Sequence, residues 1–245
     1  MSCGAHPGLV VENVTYAYGN RKALDDVSFT VPTGRFCALL GPNGAGKSTV
    51  FSLLTRLFVT RTGQIRISGM DLSQNPRAAL ALMGVVFQQP TLDLDLTVRQ
   101  NLSYFAALHG ISGRDAVRRI DMVLGWLGMA ERAGERARHL NGGHRRRAEI
   151  ARALIHRPRV LLLDEPTVGL DAASRRSITE RVHELCDDDG LTVLWATHLV
   201  DEVRDEDELI VLHRGKVLAR GIASEIAAGE RLADSFLAMT REDAS

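Results

Sequence analysis

The sequence is poor in cysteine and has no long apolar run. Its three cysteines, Cys3, Cys37 and Cys186, are odd in number and far apart, and their spacing suggests no metal site. We expect three reduced thiols in a reducing compartment. No apolar run approaches the roughly 18 residues needed to cross a bilayer, and the first eight residues lack the basic start and apolar stretch of a signal peptide. Any work at a membrane is therefore expected to go through a partner.

An excess of one charge is also lacking. Thirty Lys and Arg residues balance thirty Asp and Glu residues over 245 positions. Nucleic-acid-binding proteins usually carry a basic excess, so no nucleic-acid partner is expected. The one dense basic run, Arg145-Arg146-Arg147, fits the polar face of a helix on which Arg145 and Glu149 can pair. We interpret it as a solvated face, with nucleic-acid contact as the alternative. The acidic residues 201–208 are interpreted as a solvated helix or loop, or a weak docking surface.

The hydrophobic pattern predicts strands and helices in alternation. At this length the chain suits one domain, and it can bury roughly 70–75% of its unfolded surface without a metal or disulfide. Continuous apolar runs such as FCALL predict strands buried on both faces, and strand, helix, strand late in the chain predicts a parallel sheet. Strands are predicted at 10–18, 27–31, 36–40, 64–68, 160–163 and 192–195, a hairpin at 209–219, and helices at 48–58, 173–185 and 224–239.

The middle of the chain follows a helical period. Thr97 with Gln100 forms a capping-box pattern, which Ser112 and Asp115 repeat. Apolar residues recur at helical spacing after each cap. We therefore predict an all-helical insert over about 90–140.

A glycine-rich stretch follows the apolar run at 36–40. Residues 41–49 read GPNGAGKST and contain the pattern G-x-x-x-x-G-K-[ST] between a predicted strand and helix. Such a loop points successive N–H groups at phosphate oxygens, and the following helix adds its positive amino end. Lys47 can reach the β- and γ-phosphates, and the Ser48 hydroxyl can ligate Mg²⁺. A chance match in a glycine-rich turn is the alternative. The predicted nucleotide-binding residues are Gly41, Pro42, Asn43, Gly44, Ala45, Gly46, Lys47, Ser48 and Thr49.

A second apolar strand ends in two acids, Asp164 and Glu165. An ionised carboxylate at the end of a buried strand needs a partner. Mg²⁺, through a water molecule, is the natural partner for Asp164, and Glu165 can then orient or deprotonate the attacking water. Alone, the pair is better interpreted as solvated acids at a strand end. With the phosphate loop upstream, we predict an ATP and Mg²⁺ site.

Several further segments follow in a recognisable order. They are Tyr18 before Gly19, Gln88 in VFQQP at 86–90, LNGGH at 140–144, DEPT at 164–167, VGLD at 168–171 and ATH at 196–198. Together with the phosphate loop they resemble the motifs of the ABC ATPase family, and the resemblance covers nearly all of the chain. It implies an α/β fold: a P-loop NTPase core with a mainly parallel sheet, an N-terminal antiparallel β subdomain and an inserted α-helical subdomain, in a single domain of residues 8–240.

The resemblance also implies roles. Tyr18 would stack on adenine, Gln88 would touch Mg²⁺ and the attacking water, and His198 would contact the γ-phosphate and position Glu165. Taken singly, they are better interpreted as an ordinary strand aromatic, a loop glutamine and a hydrogen-bonded histidine at a strand end. The signature residues Asn141, Gly142, Gly143 and His144 would contact the ATP held by a second copy.

Implied partners are a second ATP-binding subunit, most simply the same chain as a homodimer, and an integral membrane permease. Two domains would close around two ATP molecules and open after hydrolysis. The resemblance places the chain in the cytoplasm, peripheral on the cytoplasmic face of the inner membrane.

The signature departs from the usual LSGGQ at two positions. Asn141 replaces Ser and can still cap the following helix. His144 replaces Gln and can donate when neutral or carry charge near pH 6.5. We expect a working site.

Residues 88–93 and 96–98 resemble exporters of drugs, antibiotics or polysaccharides. The NGGH signature resembles ATPases associated with pyrroloquinoline-quinone-dependent alcohol oxidation. The alternative is a soluble non-transport ABC protein, for example in iron–sulfur assembly. A P-loop kinase or GTPase would explain neither Gly142-Gly143 nor His198.

Overall fold

The computed structural model describes residues 7–241. Cys3 and the segment considered for a signal peptide lie outside the described residues, apart from Pro7 and Gly8. Cys37 and Cys186 are buried free thiols, as expected. Burial raises the pKa of both thiols, that of Cys186 to about 12. Within residues 7–241 no helix combines the length and apolar character that a membrane span requires.

A six-stranded sheet forms the centre of the molecule. Its order is β10-β9-β3-β8-β7-β6, and all neighbours are parallel except the β9–β10 hairpin. The hairpin turns at Arg214-Gly215, as predicted, with both residues at positive φ. The strands are β3 (Phe36–Leu40), β6 (Met83–Val86), β7 (Val160–Asp164), β8 (Thr192–Thr197), β9 (Glu208–His213) and β10 (Lys216–Ile222).

A four-stranded antiparallel sheet packs against this core, in the order β2-β1-β4-β5. Its strands are β1 (Leu9–Tyr18), β2 (Arg21–Val31), β4 (Gln64–Ile67) and β5 (Met70–Asp71). The central strand β3 is apolar throughout because both of its faces are buried. Phe36, Ala38 and Leu40 face one core with α-helices, whereas Cys37 and Leu39 face the antiparallel sheet.

Helices cover the open faces. They are α1 (Lys47–Leu54), α2 (Pro76–Ala81), α3 (Val98–Leu108), α4 (Gly113–Trp126), α5 (Gly142–Leu154), α6 (Ala172–Asp189), α7 (Ala223–Ala227) and α8 (Leu232–Arg241). The predicted capping box is present, since Thr97 accepts from the Gln100 backbone and Gln100 from the Thr97 backbone. Between β6 and β7 the regular elements are α3, α4, α5 and two short 3₁₀ turns.

Three helix predictions were wrong in detail. The helix predicted over 48–58 ends at Leu54, because Arg56 adopts a left-handed conformation at φ 61°. The Ser112 side chain makes no cap hydrogen bond at the start of α4. The helix predicted over 224–239 is two helices, separated where Ala228 and Gly229 both have positive φ. Local backbone reversals, which periodicity does not report, end the first of these helices and divide the last one.

The charged runs are less solvated than predicted. Arg146 is buried, and it pairs with Glu149 at 2.8 Å in place of the predicted Arg145–Glu149 pair. In the acidic run, Glu202 and Asp207 are buried and hydrogen-bonded. The Glu202 carboxylate accepts three hydrogen bonds from side chains, and the Asp207 carboxylate is hydrogen-bonded to His183. Burying a charge is tolerated when such partners are present.

Candidate nucleotide-binding site

The glycine-rich loop lies between β3 and α1, at the carboxyl end of the parallel strands. Gly46 has φ 113°, a conformation open mainly to glycine, and stands directly before α1. A Cβ on Gly41 would lie 2.3 Å from the Leu212 carbonyl oxygen, so only glycine fits there. The loop is therefore shaped by backbone requirements, as the phosphate-binding motif demands.

Lys47 points back into its own loop. Its ammonium donates to the carbonyl oxygens of Gly41 at 2.6 Å and Pro42 at 3.2 Å, and the side chain is buried. It also lies 3.2 Å from the Glu165 carboxylate. The loop thus holds a positive charge at the point where its backbone curls.

Glu165 is the meeting point of the predicted catalytic residues. Gln88 Nε2 donates to Glu165 Oε2 at 3.4 Å, and His198 Nδ1 lies 3.4 Å from Oε1, although its ring is not oriented for a hydrogen bond. Glu165 itself adopts φ 46°, a strained conformation for a non-glycine residue. Strain of this kind concentrates at functional sites. The structure therefore brings Lys47, Gln88, Glu165 and His198 together, as the sequence predicted.

Asp164 ends β7 beside this group. Burial, and secondly the charge of Glu165, raise the pKa of Asp164 to about 6, while Lys47 and the Ser48 hydroxyl act in the opposite direction. Its Oδ1 is buried without a hydrogen-bond partner. A divalent cation between Asp164 and Ser48 would supply that partner, and carboxylate and hydroxyl oxygens suit Mg²⁺. The residues present therefore fit a magnesium ion.

Tyr18 stands at the rim of the same cleft. Half of its surface is exposed, its ring packs edge-on against Tyr16 and Phe58, and its hydroxyl lies 3.5 Å from Thr49 Oγ1. An exposed ring fixed by two aromatic neighbours can present a face to a base. The stacking role remains a prediction.

The cleft has a volume of about 980 Å³ and is more basic than the sequence indicated. Besides Tyr18 and the residues around Glu165, it is lined by Arg21, Lys22 and Arg214, which sequence reasoning missed. Arg21 and Lys22 follow the Gly19-Asn20 turn, and their closeness in sequence to Tyr18 could have indicated that they line the same cleft. Arg214 lines the cleft from the β9–β10 turn, and no local sequence pattern indicates that it would. Cations at a cleft rim favour a polyanionic ligand.

The signature residues lie outside this cleft, at the start of α5. Asn141 Oδ1 accepts from the His144 N–H at 2.9 Å, so Asn141 caps α5 as predicted. A Cβ on Gly143 would lie 2.8 Å from Ser174 Oγ, so this position has no room for a side chain. Burial, and then the charges of Arg132 and Arg147, lower the pKa of His144. None of Asn141, Gly142, Gly143 or His144 lines the cleft of its own chain.

The sequence of this chain matches a known protein family over more than half of its length. The family model for ABC transporter proteins matches residues 24–168, which includes the phosphate loop, the signature and the Asp164-Glu165 pair. The chain belongs to the ABC transporter family. It is an ATP-binding and hydrolysing subunit of this family, and the α/β fold with an antiparallel sheet and a helical insert is confirmed.

Two relatives show the branch of the ABC family that this chain resembles. It is 35% identical to the linearmycin resistance ATP-binding protein LnrL of Bacillus subtilis (strain 168), over 89% of this chain and 70% of that protein. It is 39% identical to the Nod factor export ATP-binding protein I of Rhizobium meliloti (strain 1021), over 89% of this chain and 66% of that protein. One of these ATP-binding relatives is named for linearmycin resistance and the other for Nod factor export, which supports a transport role over a soluble non-transport one.

Among solved structures, a bacterial ABC transporter cassette determined as a dimer superposes with a TM-score of 0.77 and 28% identity, over 87% of this chain and 98% of that one. The family of this chain therefore includes cassettes that pair.

Proposed function

We propose that this chain drives export by closing with a second copy of itself around two ATP molecules, next to a separate integral membrane permease. The observation that carries this proposal is the separation of the site into two halves. Lys47, Glu165, Gln88 and His198 share one cleft, whereas the glycine pair of the signature lies outside it. A triphosphate bound to one chain alone would therefore be contacted on only one side.

Binding follows from the charges and N–H groups of the loop. The ammonium of Lys47 exchanges loop carbonyl oxygens for phosphate oxygens, and the N–H groups at the start of α1 add the positive end of the helix. Tyr18 stacks on the base. Asn141, Gly142 and Gly143, at the amino end of α5, offer N–H groups to the γ-phosphate held by the second copy. His144 beside them donates when neutral.

Hydrolysis is assigned to Glu165 as the base that takes a proton from the attacking water. Gln88 and His198, each 3.4 Å from its carboxylate, orient that water and the γ-phosphate. Ser48, Asp164 and Gln88 would hold Mg²⁺, which supplies charge neutralisation on the phosphate oxygens. After hydrolysis the charge that joins the two halves is reduced, and the pair opens.

The location of the chain and the direction of transport are part of this proposal. We infer that the chain works in the cytoplasm, peripheral on the cytoplasmic face of the inner membrane, with no nucleic-acid partner. Export is favoured because relatives are named for Nod factor export and for drug resistance. The link to pyrroloquinoline-quinone-dependent alcohol oxidation, like the domain limits 8–240 and the insert limits 90–140, stays a prediction.

The test of this function is Glu165→Gln, which keeps the shape of the side chain and removes the base. We expect ATP binding to remain and phosphate release to fall by at least a hundredfold. Glu230→Gln, at an exposed position, is the matched control and is expected to keep wild-type phosphate release. A Glu165→Gln protein that hydrolyses ATP at the wild-type rate would contradict the proposal.

A further inference from the structure

The inner face of α5 carries charge where the sequence predicted solvent exposure. Arg146 is 7% exposed and Glu149 is 2% exposed, and they pair at 2.8 Å. Arg152 lies one turn further along the same helix. Buried charges are costly unless they are fully hydrogen-bonded, so their partners show what the helix holds in place.

Those partners belong to the loop that carries Gln88. The Arg146 guanidinium donates to the carbonyl oxygens of Phe87 at 2.7 Å and Gln88 at 2.8 Å. Glu149 accepts from the Thr91 N–H at 2.7 Å. Arg152 donates to the Thr91 carbonyl oxygen at 2.8 Å and to its hydroxyl. Side chains from successive turns of α5 therefore hold both ends of the stretch 87–91.

This stretch has no regular structure of its own to hold it. It follows β6 directly and belongs to neither a helix nor a strand. Gln88 itself is exposed on the surface, and its amide reaches the Glu165 carboxylate at 3.4 Å. The planar fork of an arginine suits two adjacent carbonyl oxygens in a way that a lysine ammonium does not.

We propose that Arg146 is a positioning residue for Gln88, tying the loop that reaches Glu165 to the helix that begins at the signature glycines. Helix α5 starts at Gly142, so the glycine pair that would contact a second subunit's ATP belongs to it. The same helix holds Gln88 beside Glu165 of its own chain, through Arg146. One rigid element therefore serves both contacts. The signature of each copy thereby regulates hydrolysis in its own cleft. This inference rests on the proposed role of Gln88.

A double-mutant comparison of Arg146→Met and Gln88→Ala tests the catalytic part. If Arg146 acts through Gln88, each single change lowers kcat by about tenfold and leaves KM for ATP within about threefold, and the double variant is no slower than Gln88→Ala alone. Arg146→Lys is expected to recover only part of the loss. Effects that multiply in the double variant, or an Arg146→Met protein with wild-type kcat, would overturn the inference.

Arg118→Met is the matched control, since Arg118 is an exposed arginine of α4 that pairs with Asp115. It is expected to leave kcat unchanged. Should Arg146→Met fail to fold, Glu149→Gln takes its place in the same comparison. It keeps an oxygen for the Thr91 N–H, weakens the hold on Arg146, and is expected to give a smaller loss of kcat that again disappears in the Gln88→Ala background.

A second readout does not depend on activity. A spin label at the exposed position 89, with Cys3 replaced by serine and the buried Cys37 and Cys186 left in place, reports the mobility of the loop. Arg146→Met is expected to increase that mobility, whereas unchanged mobility would overturn the inference. The two results can also differ. If Gln88→Ala retains full kcat while Arg146→Met makes the label more mobile, the proposed role of Gln88 is wrong, but the attachment of the loop to α5 is supported.

Discussion

At the scale of single residues, the contacts of Lys47 give the clearest prediction about nucleotide binding. Its ammonium is buried against two loop carbonyl oxygens and the Glu165 carboxylate. A cation held this way lies inside the loop, where it can exchange these oxygens for phosphate oxygens when a nucleotide binds. Little side-chain freedom is lost when the ligand arrives, which favours tight binding.

Lys47→Ala is expected to weaken nucleotide binding by about ten- to a hundredfold, because a hydrogen bond to a charged group contributes about 1.5–3 kcal/mol. Titration with a fluorescent ATP analogue measures the dissociation constants of the wild type and of Lys47→Ala. Lys216→Ala removes an exposed lysine that pairs with Asp25 and serves as the control. A change of less than twofold for Lys47→Ala would count against the assigned phosphate site.

At the scale of elements, Glu202 joins two strand ends that carry catalytic residues. Its buried carboxylate accepts from Trp195 Nε1 at 3.0 Å, from Thr197 Oγ1 at 2.6 Å and from the Thr167 hydroxyl. Thr197 precedes His198 at the end of β8, and Thr167 follows Glu165 after β7. The spacing of Glu165 and His198 therefore depends on a carboxylate outside the nucleotide cleft.

Thr167→Val removes one of these hydrogen bonds while keeping the shape of the side chain. We expect the free energy of unfolding to fall by about 1.5–3 kcal/mol, because a donor to a buried carboxylate is lost, and we expect ATPase activity to fall with it. Thr167→Ser keeps the hydroxyl and is expected to lie close to the wild type. Chemical denaturation of the three proteins makes the comparison, and equal stability of the Val and Ser variants would contradict it.

Two histidines that follow α3 and α5 give the stability of the fold a pH dependence. His156 stacks on His109 with ring centroids 4.0 Å apart, and its Nε2 donates to the Met83 carbonyl oxygen at 2.9 Å. Burial, with smaller effects from His109 and Arg119, lowers the pKa of His156 to about 4. The folded protein thus keeps His156 neutral, whereas the unfolded chain takes up a proton below about pH 6.5.

The contribution of His156 to stability is complete above about pH 6.5 and is lost as the pH falls toward 4. His156→Gln keeps a donor for Met83 without this titration. We expect the free energy of unfolding to drop less between pH 7.5 and pH 5.0 in His156→Gln than in the wild type. Urea denaturation at both pH values measures it, and an equal or larger drop in the variant would contradict this account.

Elements were predictable where one physical cause dominated. The strand at 36–40 and the loop after it follow from continuous apolar character and glycine, and Gln88, Glu165 and His198 follow from motif order. Arg146 and Glu202 were missed because a charged side chain gives no local sign of burial. Their partners lie 59 and 35 residues away along the chain, in Phe87 and Thr167. Only the assembled fold shows that these charges are satisfied.

At the scale of the whole molecule, the arrangement of the site explains why pairing matters. The cleft collects positive charge from the phosphate loop and from Arg21, Lys22 and Arg214, whereas the amino end of α5 does not line it. A triphosphate in the cleft therefore has an open side. In the proposed pair, a second copy would bring its own α5 to that side and would receive the same in return, as a two-fold pair does.

The most direct measurement is the mass in solution of the Glu165→Gln protein with and without ATP and Mg²⁺, by light scattering after gel filtration. The account predicts a chain of 26.8 kDa without nucleotide and a species of twice that mass with ATP and Mg²⁺. Glu165→Gln combined with Lys47→Ala is expected to stay at the lower mass. A Glu165→Gln protein that binds ATP to saturation and remains at 26.8 kDa would contradict the central claim.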